Sequence, residues 1–86
     1  MVYQIKFRDS AKKEFSKLEK NLQIRIYNFL ENRVKGNPHL LKESLLGNKR
    51  GLWKYRVGDY RLVCQILDDE LIVLVVGVGH RRECYR

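Results

Sequence analysis

The chain has 86 residues, of which 44% are hydrophobic and 33% are charged. This length allows a single domain with one modest core, and the hydrophobic share argues against intrinsic disorder. The 18 lysines and arginines outnumber the 10 aspartates and glutamates, which gives a formal net charge of +8 at pH 7. An excess of this size favours anionic partners, namely nucleic acid, acidic proteins or anionic membrane surfaces.

The N-terminal half predicts one strand followed by two helices. Residues 2–7 alternate between apolar and polar side chains, as expected of a half-buried strand. Asp9 or Ser10 is the predicted N-cap of the first helix, and the second helix starts near Lys20. Residues 36–38, a Gly-Asn-Pro sequence, stop the second helix. The predicted apolar positions of the two helices are Ala11, Phe15, Leu18, Leu22, Ile26, Phe29, Leu30 and Val34.

The C-terminal half predicts three successive strands. Residues 39–50 have no clear period, and we expect their leucines to anchor a loop or short turn to the core (Leu40, Leu41, Leu45 and Leu46). Gly58-Asp59 predicts a hairpin between residues 52–57 and 60–67. Asp68 and Asp69 predict a solvated turn into residues 70–78. That last strand is apolar almost throughout, which is typical of a central strand covered on both faces.

These elements predict an α+β fold that occupies residues 1–86 as a single domain. The N-terminal strand should pair with the apolar last strand, and the short helix connection predicts an antiparallel helical hairpin packed on one sheet face. The last three strands should form an antiparallel meander. The other sheet face would then be a concave surface lined by Lys54, Arg56 and Arg61.

The two cysteines and the apolar runs bear on the compartment. Cys64 and Cys84 have neither CxxC nor zinc-ligand spacing, and Cys64 is expected to be buried, which favours a reducing cytoplasm. Polar residues interrupt the first apolar stretch, so no signal peptide is predicted. The longest apolar run, residues 71–76, is too short to span a bilayer. We therefore expect a cytoplasmic protein without membrane contact.

The cations of the second half predict a surface for a polyanion. Lys54 and Arg56 lie two apart on one strand and therefore share a face. Residues 48–61 hold five cations and one acid, Asp59. A solvated basic surface without a ligand is the alternative. Aromatic residues alternate with these cations, and at least two of them should pack into the core or the sheet edge (Trp53, Tyr55 and Tyr60).

Few of the familiar catalytic arrangements occur in this sequence. The sequence has no Ser-His-Asp set, P-loop or dinucleotide fingerprint, and His39 and His80 lie in distant segments. The acids are scattered, so we expect no cofactor and no metal site, and any nuclease activity should be metal-free. Such cleavage needs a base, a phosphate clamp and an acid. Neighbouring cations would lower the pKa of Lys54 towards a useful range.

Two segments resemble toxins of the RelE/ParE superfamily, found in toxin–antitoxin pairs. They are residues 51–63 (GLWKYRVGDYRLV) and 78–85 (VGHRRECY), and the resemblance extends over nearly the whole chain. Similarity to the RelE branch implies a ribosome-dependent, metal-independent endoribonuclease that cleaves mRNA in the A site. Similarity to the ParE branch would instead imply a DNA gyrase inhibitor without nuclease activity. A member that binds antitoxin and RNA without catalysis is a third reading.

The resemblance to RelE implies a catalytic set of Lys54, Arg56, Arg61, Arg81 and Tyr85. Lys54 would share the base function, Arg61 would clamp the transition-state phosphate, Arg81 would be the acid and Tyr85 would stack on a base. Arg56 stands where RelE proper has a lysine, and the tail, which ends one residue after Tyr85, is shorter.

The resemblance also bears on further contacts and on partners. Additional RNA contacts are expected from basic residues on either side of the catalytic set (Lys49, Arg50, Arg82 and Arg86). Some relatives use a histidine with a glutamate, which leaves His80 and Glu83 as open candidates, although His80 should point away from the face of Arg81. The expected partners are an acidic, RelB-like antitoxin and the ribosome with its mRNA and rRNA.

Overall fold

A computed structural model describes residues 2–44 and 51–80 as one five-stranded sheet with helices. The elements, in chain order, are β1 (Gln4–Phe7), α1 (Asp9–Ser16), α2 (Lys20–Phe29), a π-helical turn (Leu30–Val34), β2 (Glu43–Ser44), β3 (Leu52–Val57), β4 (Tyr60–Leu67), a 3₁₀ turn (Asp68–Glu70) and β5 (Ile72–His80). The α+β class and the meander of the last three strands are confirmed.

Strand β5 lies between β1 and β4, so the first strand of the sheet pairs with the last one in the sequence. The strand order is β1-β5-β4-β3-β2. β1 runs parallel to β5, with Ile5 opposite Val73, and the other pairs are antiparallel. The predicted pairing of the first strand with the apolar last strand is therefore confirmed, and it makes the sheet mixed.

The helices cover one face of this sheet and form the core with it. The 3.6-residue period brings the apolar residues of α1, α2 and the π turn to one side, where they meet alternate residues of the strands. Phe15, Leu18, Leu22 and Phe29 pack around these buried side chains. The fully buried residues of the core are Ala11, Ile26, Leu30, Val34, Tyr55, Leu62, Cys64, Val73 and Val75.

The β3–β4 hairpin turns at Gly58 and Asp59, as predicted. Gly58 has a φ of 60°, a left-handed conformation that glycine adopts without steric cost and that type II′ turns require at this position. Val57 pairs with Tyr60 across the turn, and Arg56 pairs with Arg61. The turn thus fixes which residues of the two strands share a face.

A β-bulge changes the alternation in β5. Val63 pairs with Gly77 whereas the next residue, Cys64, pairs with Val75, so β5 contains one extra residue at Val76. Before the bulge the buried residues of β5 are odd-numbered, and after it Val78 is buried. The bulge therefore exchanges the faces of the residues that follow it.

Four sequence predictions differ from the structure. α1 begins at Asp9 with Arg8 as its N-cap, without a side-chain cap, so Asp9 lies in the first turn instead of capping it. The two-residue strand β2 was not predicted, because it is too short to show a period. Leu40 is 70% exposed and so does not anchor the loop, whereas Pro38, two residues earlier, is fully buried.

The fourth difference concerns the predicted cover of β5 on both faces. Helices cover one face, where Val73 and Val75 are fully buried. On the opposite face Ile72 and Leu74 are half-buried within the part of the chain that the structure describes. The apolar run is therefore explained by its central place in the sheet, with one face packed against helices. Leu41 does pack against the core as predicted, while Leu45 and Leu46 lie outside the described residues.

A buried tyrosine ties the loop after the π turn to the sheet. The Tyr55 hydroxyl is fully buried and donates a hydrogen bond to the carbonyl oxygen of Pro38. Burial raises the pKa of this phenol, so it stays protonated and able to donate. The ring packs edge-on against Phe29, with centroids 6.0 Å apart. This contact holds the segment that leads into β2.

A polar cluster joins Tyr3, just before β1, to the loop that follows the π turn and to the β4–β5 turn. The Tyr3 hydroxyl and His39 Nε2 both donate to Asp68 Oδ1, at 2.6 and 2.7 Å. Lys42 Nζ lies 2.8 Å from His39 Nδ1; because an ammonium can only donate, Nδ1 accepts and Nε2 carries the proton. The hydrogen bond from Tyr3, followed by that from His39, lowers the pKa of the Asp68 carboxyl below its ordinary 3.8.

Replacing Tyr55 by phenylalanine should destabilise the protein by about 1–3 kcal/mol, because the Pro38 carbonyl would lose its buried donor. Urea denaturation followed by circular dichroism measures this change in the free energy of unfolding. Tyr27→Phe is the matched control, since Tyr27 is 52% exposed and its hydroxyl can be replaced by water contacts. Equal effects of the two substitutions would contradict a structural role for the Tyr55 bond.

Asp68 should contribute an acid-sensitive part of the stability. Because its folded-state pKa lies below the unfolded value, this contribution is complete above that value and is lost as pH falls through the folded-state pKa. The stability difference between wild type and Asp68→Asn should therefore shrink on acidification from about pH 5 to pH 1. Urea titrations across this range measure it. Asp69→Asn is the control, since it makes the same charge change at the adjacent exposed residue and leaves the hydrogen bonds from Tyr3 and His39 to Asp68 in place. A constant difference for Asp68→Asn would refute the assignment.

Candidate functional site

The sheet face opposite the helices, called the open face below, carries three cations. Arg56 and Arg61 are direct partners across the β3–β4 ladder, and Lys54 lies two residues from Arg56 on the same strand. Cross-strand partners project from the same side of a sheet, so the structure brings these three predicted residues together. Like charges placed directly opposite each other are unfavourable. The arrangement is therefore suited to an anion that bridges them.

The three cations differ strongly in burial. Arg61 is 6% exposed and is the one buried charged side chain among residues 2–44 and 51–80. The side chain of Lys54 is 15% exposed and that of Arg56 is 59% exposed. A buried guanidinium has little rotamer freedom left to lose, so Arg61 is oriented before any ligand arrives. Arg56 is instead largely exposed and can reach a ligand at the surface.

Glu43 is a member of this site that the sequence analysis missed. It pairs with Lys54 in the β2–β3 ladder, and its Oε1 lies 3.4 Å from Arg56 Nη2 and 4.0 Å from Lys54 Nζ. Lys54 therefore has an acidic neighbour in addition to the neighbouring cations that the sequence predicted. The signal was weak because Glu43 precedes β3 by several residues in a segment without a period. Its carboxylate occupies the position between two cations that a phosphate would also prefer.

His80 lies on the helix side of the sheet. It pairs with Tyr60, and the two rings meet edge-on with centroids 5.5 Å apart. Together with Glu14 and Lys17 they line a cavity of about 300 Å³ between α1 and the end of β5. Arg61 is opposite Gly79, one residue earlier. His80 thus points away from the open face, which does not support a direct role beside Arg61.

The aromatic residues that alternate with the cations pack as predicted. Tyr55 is fully buried and Tyr60 is half-buried against His80. Trp53 is half-buried at the sheet edge, where Lys42 Nζ lies 3.8 Å from its ring centroid in a cation–π contact. These three rings therefore support the sheet and do not line the open face.

The remaining predicted site residues lie outside the described residues. They are Lys49, Arg50, Arg81, Arg82, Tyr85 and Arg86, together with the open candidate Glu83. Their roles remain predictions from the sequence. Within residues 2–44 and 51–80, no group of three His, Cys, Asp or Glu side chains is placed to hold a metal ion. No helix of that part has the length and apolar character needed to cross a membrane.

Comparison with known proteins gives a consistent result. Residues 5–85 match the family model described as ParE toxin of type II toxin-antitoxin system, parDE. A RelE-like toxin protein of Escherichia coli is 42% identical over 94% of this chain and 85% of its own length. Toxin RelG of Mycobacterium tuberculosis is 27% identical over 100% of this chain and 99% of its own.

The fold also matches a solved structure. The intact E. coli RelBE toxin–antitoxin complex contains a chain that superposes with a TM-score of 0.80 and 28% identity, covering 92% of this chain and 96% of that one. The match covers nearly the whole chain, so the sheet that carries the open face belongs to a fold shared with that chain.

Replacing Glu43 by glutamine should strengthen polyanion binding, because Lys54 and Arg56 lose the carboxylate that competes for them. Partly exposed ion pairs contribute about 0.2–1 kcal/mol, so the expected gain is up to about fivefold. Fluorescence anisotropy with a labelled 2′-O-methyl RNA at several salt concentrations measures it. Glu70→Gln, on the exposed β4–β5 turn, makes the same charge change away from the site. A gain of the same size in both variants would mean that net charge alone is responsible.

Proposed function

Because the chain belongs to the RelE/ParE superfamily of toxins from type II toxin–antitoxin systems, we propose that it is a ribosome-dependent endoribonuclease that cleaves mRNA in the A site. The observation that carries the proposal is the convergence of Lys54, Arg56 and Arg61 on the open face, with Arg61 buried and pre-oriented. A cluster of cations of this kind suits a phosphate whose negative charge grows in the transition state.

The proposed reaction is attack of the ribose 2′-oxygen on the adjacent phosphorus. A base removes the 2′-hydroxyl proton, the P–O5′ bond breaks, and an acid gives a proton to the departing 5′-oxygen. Negative charge accumulates on the phosphate oxygens, and the forks of Arg61 and Arg56 match those oxygens. The products are a 2′,3′-cyclic phosphate and a free 5′-hydroxyl, so atoms and protons balance without a metal.

The proton transfers involve residues inside and outside the described part. We assign the base function to Lys54 together with Glu43, whose carboxylate Oε1 lies 4.0 Å from Lys54 Nζ. The sequence resemblance supports Arg81 as the acid and Tyr85 as the stacking platform for a base of the codon. Lys49, Arg50, Arg82 and Arg86 are proposed to contact the RNA backbone.

An acidic antitoxin is the proposed partner that holds the activity in check. The RelBE structure that this fold resembles is a toxin–antitoxin complex. With a net charge of +8, this chain attracts acidic segments as well as RNA. Carboxylates of an antitoxin would compete with mRNA for the open face, as Glu43 already does within the chain. We further propose a cytoplasmic location, where ribosomes are found.

Cleavage of mRNA on programmed ribosomes with an empty A site tests the proposal. Wild type should cut within the A-site codon, and Arg61→Ala should lower the single-turnover rate about 100- to 1,000-fold, as loss of a transition-state clamp does. Arg81→Ala and Glu43→Gln should also slow cleavage, the latter although its RNA binding becomes tighter. Lys12→Ala, an exposed position on α1, is the control.

Two further arms make this assay decisive. Stripping the toxin with EDTA and returning it to chelator-free buffer leaves the ribosomes intact and should not change the rate if no bound metal participates. Absence of cleavage by folded wild-type protein would overturn the nuclease proposal. Inhibition of gyrase supercoiling by the same preparation would then assign the toxin to the other target.

A further inference from the structure

A second cationic site lies between α2 and the β3–β4 turn. The residues that line a cleft of about 460 Å³ there include three arginines and two asparagines: Arg25, Arg33, Arg56, Asn28 and Asn32. Guanidinium groups are pure donors and amides supply further N–H groups, so this lining is suited to an oxygen-rich anion. Except for Arg56, none of these residues belongs to the catalytic set proposed above.

Helix geometry brings these side chains together. Arg25, Asn28 and Asn32 are spaced i, i+3 and i+7, which places them on one stripe of the helix. The helix then widens into the π turn Leu30–Val34, closed by a 2.9 Å bond from Lys35 N–H to the Leu30 carbonyl. A π turn holds more residues than an α turn, so it shifts residues around the helix axis relative to a regular α-helix, and Arg33 within it lines the cleft. Such insertions are frequent at functional sites.

Arg25 is positioned by the hairpin turn. A Cβ built on Gly58 would lie 3.2 Å from Arg25 Nη1, 3.4 Å from Cζ and 3.5 Å from Nη2. These nearly equal distances mean that the guanidinium lies flat over the glycine. The absence of a side chain at Gly58 therefore serves the turn and also leaves room for this arginine.

The cleft collects positive charge with little compensation. Within residues 2–44 and 51–80, no carboxylate lies within salt-bridge distance of Arg25 or Arg33, and Arg56 pairs with Glu43 at 3.4 Å. Neighbouring guanidinium groups repel each other, which costs free energy in the unliganded protein. A bound anion would remove that cost.

We infer that this cleft binds the phosphodiester backbone of the RNA strand next to the cleaved codon. Planar guanidinium forks bind phosphate in a bidentate manner, and Arg56 lines the cleft while also lying on the open face. One strand can therefore pass from the cleft to Lys54 and Arg61. The bidentate match of guanidinium forks to phosphate, together with this continuity with the proposed reaction site, points to RNA as the occupant. The inference rests on the proposed function for the identity of the strand.

The double variant Arg25→Gln/Arg33→Gln tests the site against Lys12→Gln/Lys13→Gln, which makes the same charge change on exposed positions of α1. Anisotropy with a labelled single-stranded 2′-O-methyl RNA measures affinity at several salt concentrations. The cleft variant should bind about tenfold more weakly. Its slope of log affinity against log salt should become shallower by about 1.4, because each contact to a single strand contributes about 0.7. The control should change affinity less than twofold.

Separate arms identify each failure. Equal weakening by the two double variants, or none by either, would overturn the site. Unchanged RNA binding with weakened binding of a RelB-like acidic antitoxin would assign the cleft to a protein partner and overturn the inference. Single-turnover cleavage at saturating ribosomes should be within about threefold of wild type for the cleft variant, since the reacting groups are untouched. If wild type fails to cleave but the cleft variant still loses RNA affinity, the proposed function fails and the site stands.

Discussion

The two-residue turn at Gly58 and Asp59 fixes the register between β3 and β4, and the positions of the cations depend on that register. With Val57 opposite Tyr60, the charged residues fall on the open face and the apolar residues on the helix face. A slip of one residue would turn the cations towards the core and expose Tyr55. The fold is therefore held in this register by its hydrophobic side, and the functional side is positioned as a consequence.

Charge repulsion and packing are balanced differently at the two ends of the hairpin. Near β2, Glu43 offsets part of the repulsion between Lys54 and Arg56. Near the turn, Arg25 lies over Gly58, and within residues 2–44 and 51–80 no carboxylate lies within salt-bridge distance of it. The packed core supplies the stability that allows such charge clusters, as is common where a protein must bind a polyanion. An acidic inhibitor and an RNA substrate would both gain from the same unbalanced charge.

The sequence predicted much of the fold because its strongest patterns are local. Strand alternation placed Lys54 and Arg56 on one face, and the Gly-Asp turn placed Arg61 beside them. Glu43 was missed because a two-residue strand has no period to read. The cleft at Arg25 was missed for another reason: it forms where α2 approaches the turn, and no sequence spacing between a helix and a distant hairpin encodes that approach.

The extra residue at Val76 has a consequence for comparing this chain with its relatives. At the bulge, β5 has one residue more than β4. Each later residue of β5 therefore projects from the sheet face opposite to the one that simple alternation would give it. Substitutions cannot reverse this exchange, because only an insertion or a deletion changes the count. An alignment with a relative that lacks the extra residue must therefore place a gap at Val76. Without that gap, any role transferred to Gly79 or His80 would be assigned to the wrong side of the sheet.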